Sequence, residues 1–326
     1  MLTEPDFMEK KIIIVMPQKG DKISFKNDNI IITDGDGKIK FQLTCYKLFA
    51  IFIVGGFTMT TGIIERSRRF GFSIVLFTTT FKVYATINYA MEGNTLLRKK
   101  QYEAERSSEM AKAIIINKIK NQMETLRKLR DPAMSDGITN LEIQINKLMA
   151  SKLDNYEIMG IEGVAAKVYF NRMFKEFDWN GRQPRVKRDK INLLMDIGYT
   201  VLFNYLEAIL NIYGFDIYKG NLHKEFYKRK SLVCDMIEPF RPIVDYKIRK
   251  CINLKQLNNY KYIIDNGQYH IEWKDGTNFM LLILEAINEH KKDIFRYIQQ
   301  YYRWIMKEKE MCDFPEVVLT NDINKL

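Results

Sequence analysis

Between Lys11 and Tyr46 the chain alternates short runs rich in β-branched and aromatic residues (KIIIVM, ISFKN, DNIIIT, KIKFQLTCY) with the turn-forming stretches PQKGD and DGDG. This spacing predicts a meander of strands, because β-branched side chains pack well on a pleated surface and Asp-Gly pairs suit tight turns. The uncharged run from Leu48 to Ile64 holds 17 residues, the lower edge of the roughly 17 to 25 that cross a bilayer. Its Gly55-Gly56 pair and its threonines fit a buried strand, a glycine turn and a short helix better than a membrane span. TTGIIERSRRFG then predicts a helix ended by Gly71, and SIVLFTTT and KVYATINY predict two more strands.

From about Glu103 the period changes. Apolar residues recur every three or four positions as far as Arg130, as an amphipathic helix requires. Further helices are predicted at about 139–152, 154–174, 189–213, 231–253, 277–290 and 291–310. The expected fold is α+β in two domains: a small β-strand-rich N-terminal domain over residues 1–102 and a larger all-α C-terminal domain over 103–326.

Charge narrows the class of partner. Fifty-one Lys and Arg against 40 Asp and Glu leave a net charge of +11 and a pI near 9.2, which favours a polyanion where the charge is clustered. Residues 61–100 hold seven Lys or Arg against two acids and residues 181–250 hold fourteen against eight, and these segments account for the whole excess. Cys45, Cys234, Cys251 and Cys312 lie far apart without CxxC spacing, which argues against a zinc cluster or a disulfide framework and for the cytoplasm. The N-terminal MLTEPDFMEKK lacks the basic, apolar and small-residue regions of a signal peptide.

Within the helical region three places carry candidate chemistry. Glu162 sits in the apolar, small-residue stretch MGIEGVAAKVYF, where a buried carboxylate needs a partner. His223 lies in the loop YKGNLHKEFYKRKS. Asp235 and Glu238, three apart in SLVCDMIEPFRP, fall on one face of a helix that Ser231 is placed to cap and that Pro239 and Pro242 loosen. Carboxylates with one imidazole suit Mg²⁺ or Mn²⁺. Each feature alone is also an ordinary surface pattern, and His270 and His290 read as structural or surface residues.

Order and flanking letters add specificity. GNLHKEFYKRKSLVCDMIEPFRPIVD resembles the signature of the Cas1 family, the integrase of CRISPR adaptation, through Gly220, Leu222, His223, Arg229, Ser231, Leu232, Asp235, Glu238, Pro239, Phe240, Arg241, Pro242 and Asp245. IEGVAAKVYF is similar to the family's Glu-bearing helix through Glu162, Gly163, Ala165, Ala166, Tyr169 and Phe170. RVKRDKINLLMDIGYTVL is similar through Asn192, Leu193, Leu194, Gly198 and Tyr199, and GGFTMTTGII and GNTLLRKKQY resemble elements of the family's β domain.

The resemblance implies a metal-dependent DNA integrase and endonuclease with Glu162, His223 and Glu238 as catalytic metal ligands, Mg²⁺ or Mn²⁺ as cofactor, and Asp235 as a fourth acid that either binds the ion or supports the site. It implies that protospacer 3′-hydroxyl ends attack phosphodiesters at the leader–repeat and repeat–spacer boundaries. Implied partners are protospacer and repeat DNA, Cas2, and a second copy of the chain through the β domain, in a Cas1–Cas2 heterohexamer in the prokaryotic cytoplasm without membrane association. Candidate DNA contacts are Arg98, Arg182, Arg185, Arg188, Arg229 and Arg241, together with Arg66, Arg68, Arg69 and Lys187, and Tyr169 as a stacking platform. A transposon integrase, a structure-specific nuclease and a non-catalytic DNA scaffold are the competing readings.

Overall fold

The structure is a computed structural model that describes residues 2–88, 93–104, 107–150, 152–177, 179 and 181–319. A short helix α1 (Glu4–Glu9), capped by the Thr3 side chain, precedes strand β1 (Lys11–Val15). Strands β2 (Lys22–Lys26), β3 (Asn29–Thr33) and β4 (Ile39–Thr44) form an antiparallel sheet in that order. The meander expected over residues 11–46 is therefore confined to β2, β3 and β4. β1 leaves it to pair in parallel with β5 (Leu48–Val54), next to β6 (Ser73–Phe77) and the antiparallel β7 (Val83–Ile87). Helix α2 (Thr61–Phe70) joins β5 to β6 and ends at Gly71 in the left-handed conformation. The strand expected to run to Tyr89 is seen to Ile87; Tyr89 lies outside the described residues.

β5 shows why the apolar run from Leu48 folds as a strand. All seven of its residues are buried, as both faces of a central parallel strand must be. Ile51 and Ile53 pack with Ile30 and Ile32 of the small sheet, whereas Ala50, Phe52 and Val54 join the larger core formed with the helices.

Helix α3 (Thr95–Glu103) crosses the expected boundary at residue 102 and docks on the helical region, where Gln101 bonds the backbone of Asp216 and Lys219. Helices α4 (Ser107–Lys128), α5 (Ser135–Ala150), α6 (Asn155–Met173) and α7 (Lys190–Tyr213) follow. α7 is long and apolar enough to span a membrane, but 83% of its apolar window is buried inside the protein. Where one helix was expected over 231–253, the chain forms α8 (Ser231–Ile237), a 3₁₀ turn at Glu238–Phe240 and α9 (Arg241–Asn253). A hairpin of β8 (Tyr262–Asp265) and β9 (Gln268–Ile271) interrupts the otherwise helical region before α10 (Trp273–Glu289) and α11 (Lys291–Met306). α1 and this hairpin are too short for hydrophobic periodicity to reveal. α1 is held by Phe7, buried between Phe49 and Phe295, and by Lys291, whose ammonium donates to the Met8 and Lys10 carbonyls.

Two close approaches set the helices that carry the candidate residues. Gly198 of α7 lies against α9: a Cβ there would stand 2.5 Å from Val244 Cγ1. On α4, the buried Asn121 donates to the Pro239 carbonyl and accepts from the Leu319 amide, while Asn117 makes the same paired contact with Val317. The 3₁₀ turn bearing Glu238 is thereby pinned to α4.

Candidate active site

The three expected positions come from three separate segments, α6, the loop before α8 and the 3₁₀ turn after it, and a residue the sequence reading missed joins two of them. Lys118 of α4 is 7% exposed. Its ammonium stands 2.5 Å from Glu162 Oε1 and 2.6 Å from Glu238 Oε2. The second contact puts Glu238 Oε2, a buried carboxylate oxygen, directly against the ammonium. Arg241 adds a second cation, 3.0 Å from Glu238 Oε1. Burial alone would push the Glu238 carboxyl up. Arg241 and Lys118, with His223 contributing, instead bring its pKa down to about 2. The same two carboxylates raise the Lys118 ammonium against the effect of its burial.

Helical spacing places Lys118 there. Ile114, Ile115, Ile119, Met123 and Leu126 form the buried face of α4, and Lys118 and Gln122 fall on it. A charged residue on an apolar stripe was the available signal. Among the described residues no three His, Cys, Asp or Glu side chains converge closely enough to hold a metal ion in this arrangement; the Lys118 ammonium lies between two of the expected ligands.

His223 is oriented from behind. Asp235 is fully buried, and its Oδ2 accepts the amides of Asn221 (2.5 Å) and Leu222 (3.0 Å) while Oδ1 accepts the His223 amide (3.1 Å). His223 Nδ1 lies 2.7 Å from the same Oδ1. A carboxylate only accepts, so Nδ1 carries the proton and Nε2 is the ring nitrogen left to act as a base or ligand. Of the two roles open to Asp235, binding an ion or supporting the site, its contacts favour support: four donors already engage its two oxygens, and it shapes the loop. Gly220 closes this cradle, because a Cβ there would stand 2.7 Å from Ser231 Cβ and 2.9 Å from Asp235 Oδ2. Ser231 caps nothing by its side chain. It is the first residue of α8, and its hydroxyl returns to the Lys224 carbonyl.

A cavity of about 490 Å³ opens beside the cluster, lined by Lys118, Gln122, Glu162 and Gly163, by Phe170 and Trp179, and by Lys167, Arg182 and Arg241. Arg182 is bound to Asp196 and Asn192, and both arginines lie over the Tyr199 ring. Arg185, Arg188 and Arg229 are exposed outside the cavity lining. Arg98 is turned into the structure, where Nε donates to the Gly214 carbonyl at the end of α7. In the β region Arg66 lies over the Phe25 ring and Arg69 pairs at 4.0 Å with Asp28, whereas Lys187 is half-buried beside the hairpin, its carbonyl bonded to the Tyr269 amide. Tyr169 corrects another expectation. It is fully buried in the core, 5.2 Å from Phe170, and offers no face to a base.

Comparisons with known proteins follow the same outline. A curated relative named CRISPR-associated endonuclease Cas1 1, from Thermodesulfovibrio yellowstonii, is 26% identical over 321 residues, 94% of this chain and 98% of its own. Two solved structures share the fold at a TM-score of 0.77 and 20% identity. One, titled casposase bound to integration product, is covered over 92% of both chains. The other, from a Cas6-RT-Cas1–Cas2 complex, covers 96% of this chain and 36% of its own. The family model described as CRISPR associated protein Cas1 matches residues 14–281. That span takes in the strands of β1 to β7 almost whole and every side chain of the cluster, from Lys118 through Glu162 and His223 to Glu238, and by it the chain belongs to the Cas1 family.

Proposed function

We propose that the chain is a divalent-metal-dependent DNA integrase and endonuclease of CRISPR adaptation, which joins the 3′-hydroxyl ends of a foreign DNA fragment to phosphodiesters at the leader–repeat and repeat–spacer boundaries. The observation that carries this reading is the pairing of Glu162 and Glu238 around the Lys118 ammonium beside a basic cavity, with the Asp235-oriented His223 presented from the loop before α8, in a member of the Cas1 family. The names of the relatives, an endonuclease and a casposase bound to an integration product, support it.

Glu162, Glu238 and Nε2 of His223 would form the donor set for Mg²⁺ or Mn²⁺, and the fit rests on hard carboxylate oxygens of Glu162 and Glu238 that already share one cation, the Lys118 ammonium. When bound, such an ion neutralises charge on the reacting phosphate and lowers the pKa of the attacking hydroxyl. Asp235 holds the imidazole in one tautomer throughout, and Arg241 keeps Glu238 ionised. Lys167, Arg182 and Arg241 line the cavity, while Arg185, Arg188 and Arg229 stand exposed for the flanking backbone, so affinity falls steeply with salt.

Two joinings need two sites, and we assign self-association to the β region. Its edge strand β4 leaves Ile39 (53%) and Phe41 (37%) exposed. A pair of such dimers bridged by Cas2 gives the heterohexamer, working on DNA in a prokaryotic cytoplasm. The test is incubation with the cognate Cas2, a short duplex with free 3′-hydroxyls, a repeat-bearing plasmid and Mn²⁺. Wild type yields joined products, and Glu162→Ala and His223→Ala yield none; joining by both variants at the wild-type rate overturns the reading.

A further inference from the structure

Resting on the metal-centre reading above, we propose that Lys118 occupies the cation position between Glu162 and Glu238 and is displaced towards Gln122 when a divalent ion binds. Three observations meet here. The ammonium lies within 2.6 Å of an oxygen of each carboxylate, which is where a cation shared by the two must sit. With Lys118 in place the expected ligands do not converge on an ion site. One helical turn on, Gln122 lines the same cavity at 2% exposure, and its Oε1 has no hydrogen-bond partner.

A buried ammonium cannot leave its carboxylates without another acceptor. Gln122 Oε1 supplies one four residues along the same helix face, and the cavity supplies the path. Lys118 is then a positioning residue with two seats. In the first it holds two like charges together so that the cleft is preformed. In the second it stands on the cavity wall beside Arg241, where a DNA phosphate enters. The apparent affinity for the ion is reduced by the fraction of molecules holding the ammonium in the first seat.

The experiment is Mn²⁺ titration of the full chain, following free Mn²⁺ by electron paramagnetic resonance and the rise in melting temperature on binding. Lys118→Met removes the competitor, and Mn²⁺ binds at least about tenfold more tightly than to wild type. Gln122→Leu removes only the second seat, and Mn²⁺ binds several-fold more weakly although no charge has changed; this variant also keeps the test open if Lys118→Met fails to fold. Glu162→Gln weakens binding in either background, which assigns the ion to this cleft. Unchanged affinity in Gln122→Leu, or equal or weaker affinity in Lys118→Met, overturns the two-seat inference while leaving the metal centre standing. Absence of Mn²⁺ binding at millimolar concentration in wild type and Lys118→Met alike overturns both.

Discussion

Replacing Asp235 by Asn tests the loop that presents His223. The carboxylate takes two donors on each oxygen: the Asn221 and Leu222 amides on Oδ2, and the His223 amide and Nδ1 on Oδ1. Asn keeps the shape but turns one oxygen into a donor: with the amide nitrogen at the Oδ2 position two N–H groups face an N–H₂, and at the Oδ1 position only the His223 amide does once the ring moves its proton to Nε2 and accepts at Nδ1. Hydrogen bonds to a charged group contribute about 1.5 to 3 kcal/mol each, so the cost is about 1.5 to 3 kcal/mol where the ring switches tautomer and about 3 to 6 kcal/mol where it does not. Against a total stability of about 5 to 15 kcal/mol, the urea midpoint falls by roughly 0.5 to 3 M at ordinary slopes. The assay pairs urea unfolding, read by tryptophan fluorescence, with ¹⁵N chemical shifts of the His223 ring. Wild type shows the Nδ1-protonated form, and Asp235→Asn shows the other tautomer or a mixture. Mn²⁺ affinity falls about 10- to 100-fold, as when an orienting partner of a metal-bound imidazole is removed. An unchanged midpoint together with an Nδ1-protonated ring in the variant refutes the assignment of Asp235.

Gly220→Ala pushes a Cβ to within 3 Å of Ser231 Cβ, Asp235 Oδ2 and the His223 carbonyl, none of them the end of a long side chain, and destabilises by about 1 to 3 kcal/mol; a melting temperature equal to wild type contradicts the cradle. Asp245 is buried among Tyr199, Tyr169, Arg241 and Arg182, and burial raises its carboxyl from 3.8 to about 6 despite the Tyr199 hydrogen bond and the arginines. Its proton-linked stabilisation, about 3 kcal/mol at most, is complete below pH 3.8 and lost as pH rises through about 6. The stability difference between wild type and Asp245→Asn therefore shrinks or reverses across that window, and a pH-independent difference in paired denaturation curves counts against it.

How much of this was legible depended on the length scale of the signal. Helices of several turns repeat their apolar stripe often enough to be read, so α4 to α7, α10 and α11 lie close to their expected positions. A continuous apolar run marked β5 as buried on both faces. Strand pairing was not legible: β1 looks like the first strand of a meander, and only the parallel register with β5 removes it, a contact between residues 11–15 and 48–53 that no local letter encodes. The hairpin β8–β9 offers four residues per strand, too few for periodicity to separate from loop. At the site the motif letters pointed to Glu162, His223 and Glu238 as candidates, but which acid faces the ring from behind depends on the turn at Gly220–His223 folding back onto α8. Tyr169 shows the reverse limit, since a tyrosine on the helix that carries a candidate glutamate reads alike whether it faces the core or a ligand. Lys118 was readable in principle, as a charge on the Ile114–Leu126 stripe, yet its importance follows only from the Asn121–Pro239 bond that brings Glu238 to α4.

The charges of the cluster bear on the order in which ion and DNA arrive. Glu162 and Glu238 meet Lys118 and Arg241, two negative groups against two positive, so the cluster is balanced and holds little attraction for a phosphodiester. Under the proposed function, adding a divalent ion while Lys118 stays on the cavity wall leaves an excess of two positive charges. At an effective dielectric constant near 20, one unit charge acting on a phosphate 4 Å away is worth about 4 kcal/mol. The phosphate therefore favours the ion-bound arrangement, and by linkage the ion binds more tightly once DNA is present. Without the ion the two carboxylates are neutralised by Lys118 and Arg241, and Glu238, its carboxyl brought down to about 2, stays ionised at any physiological pH.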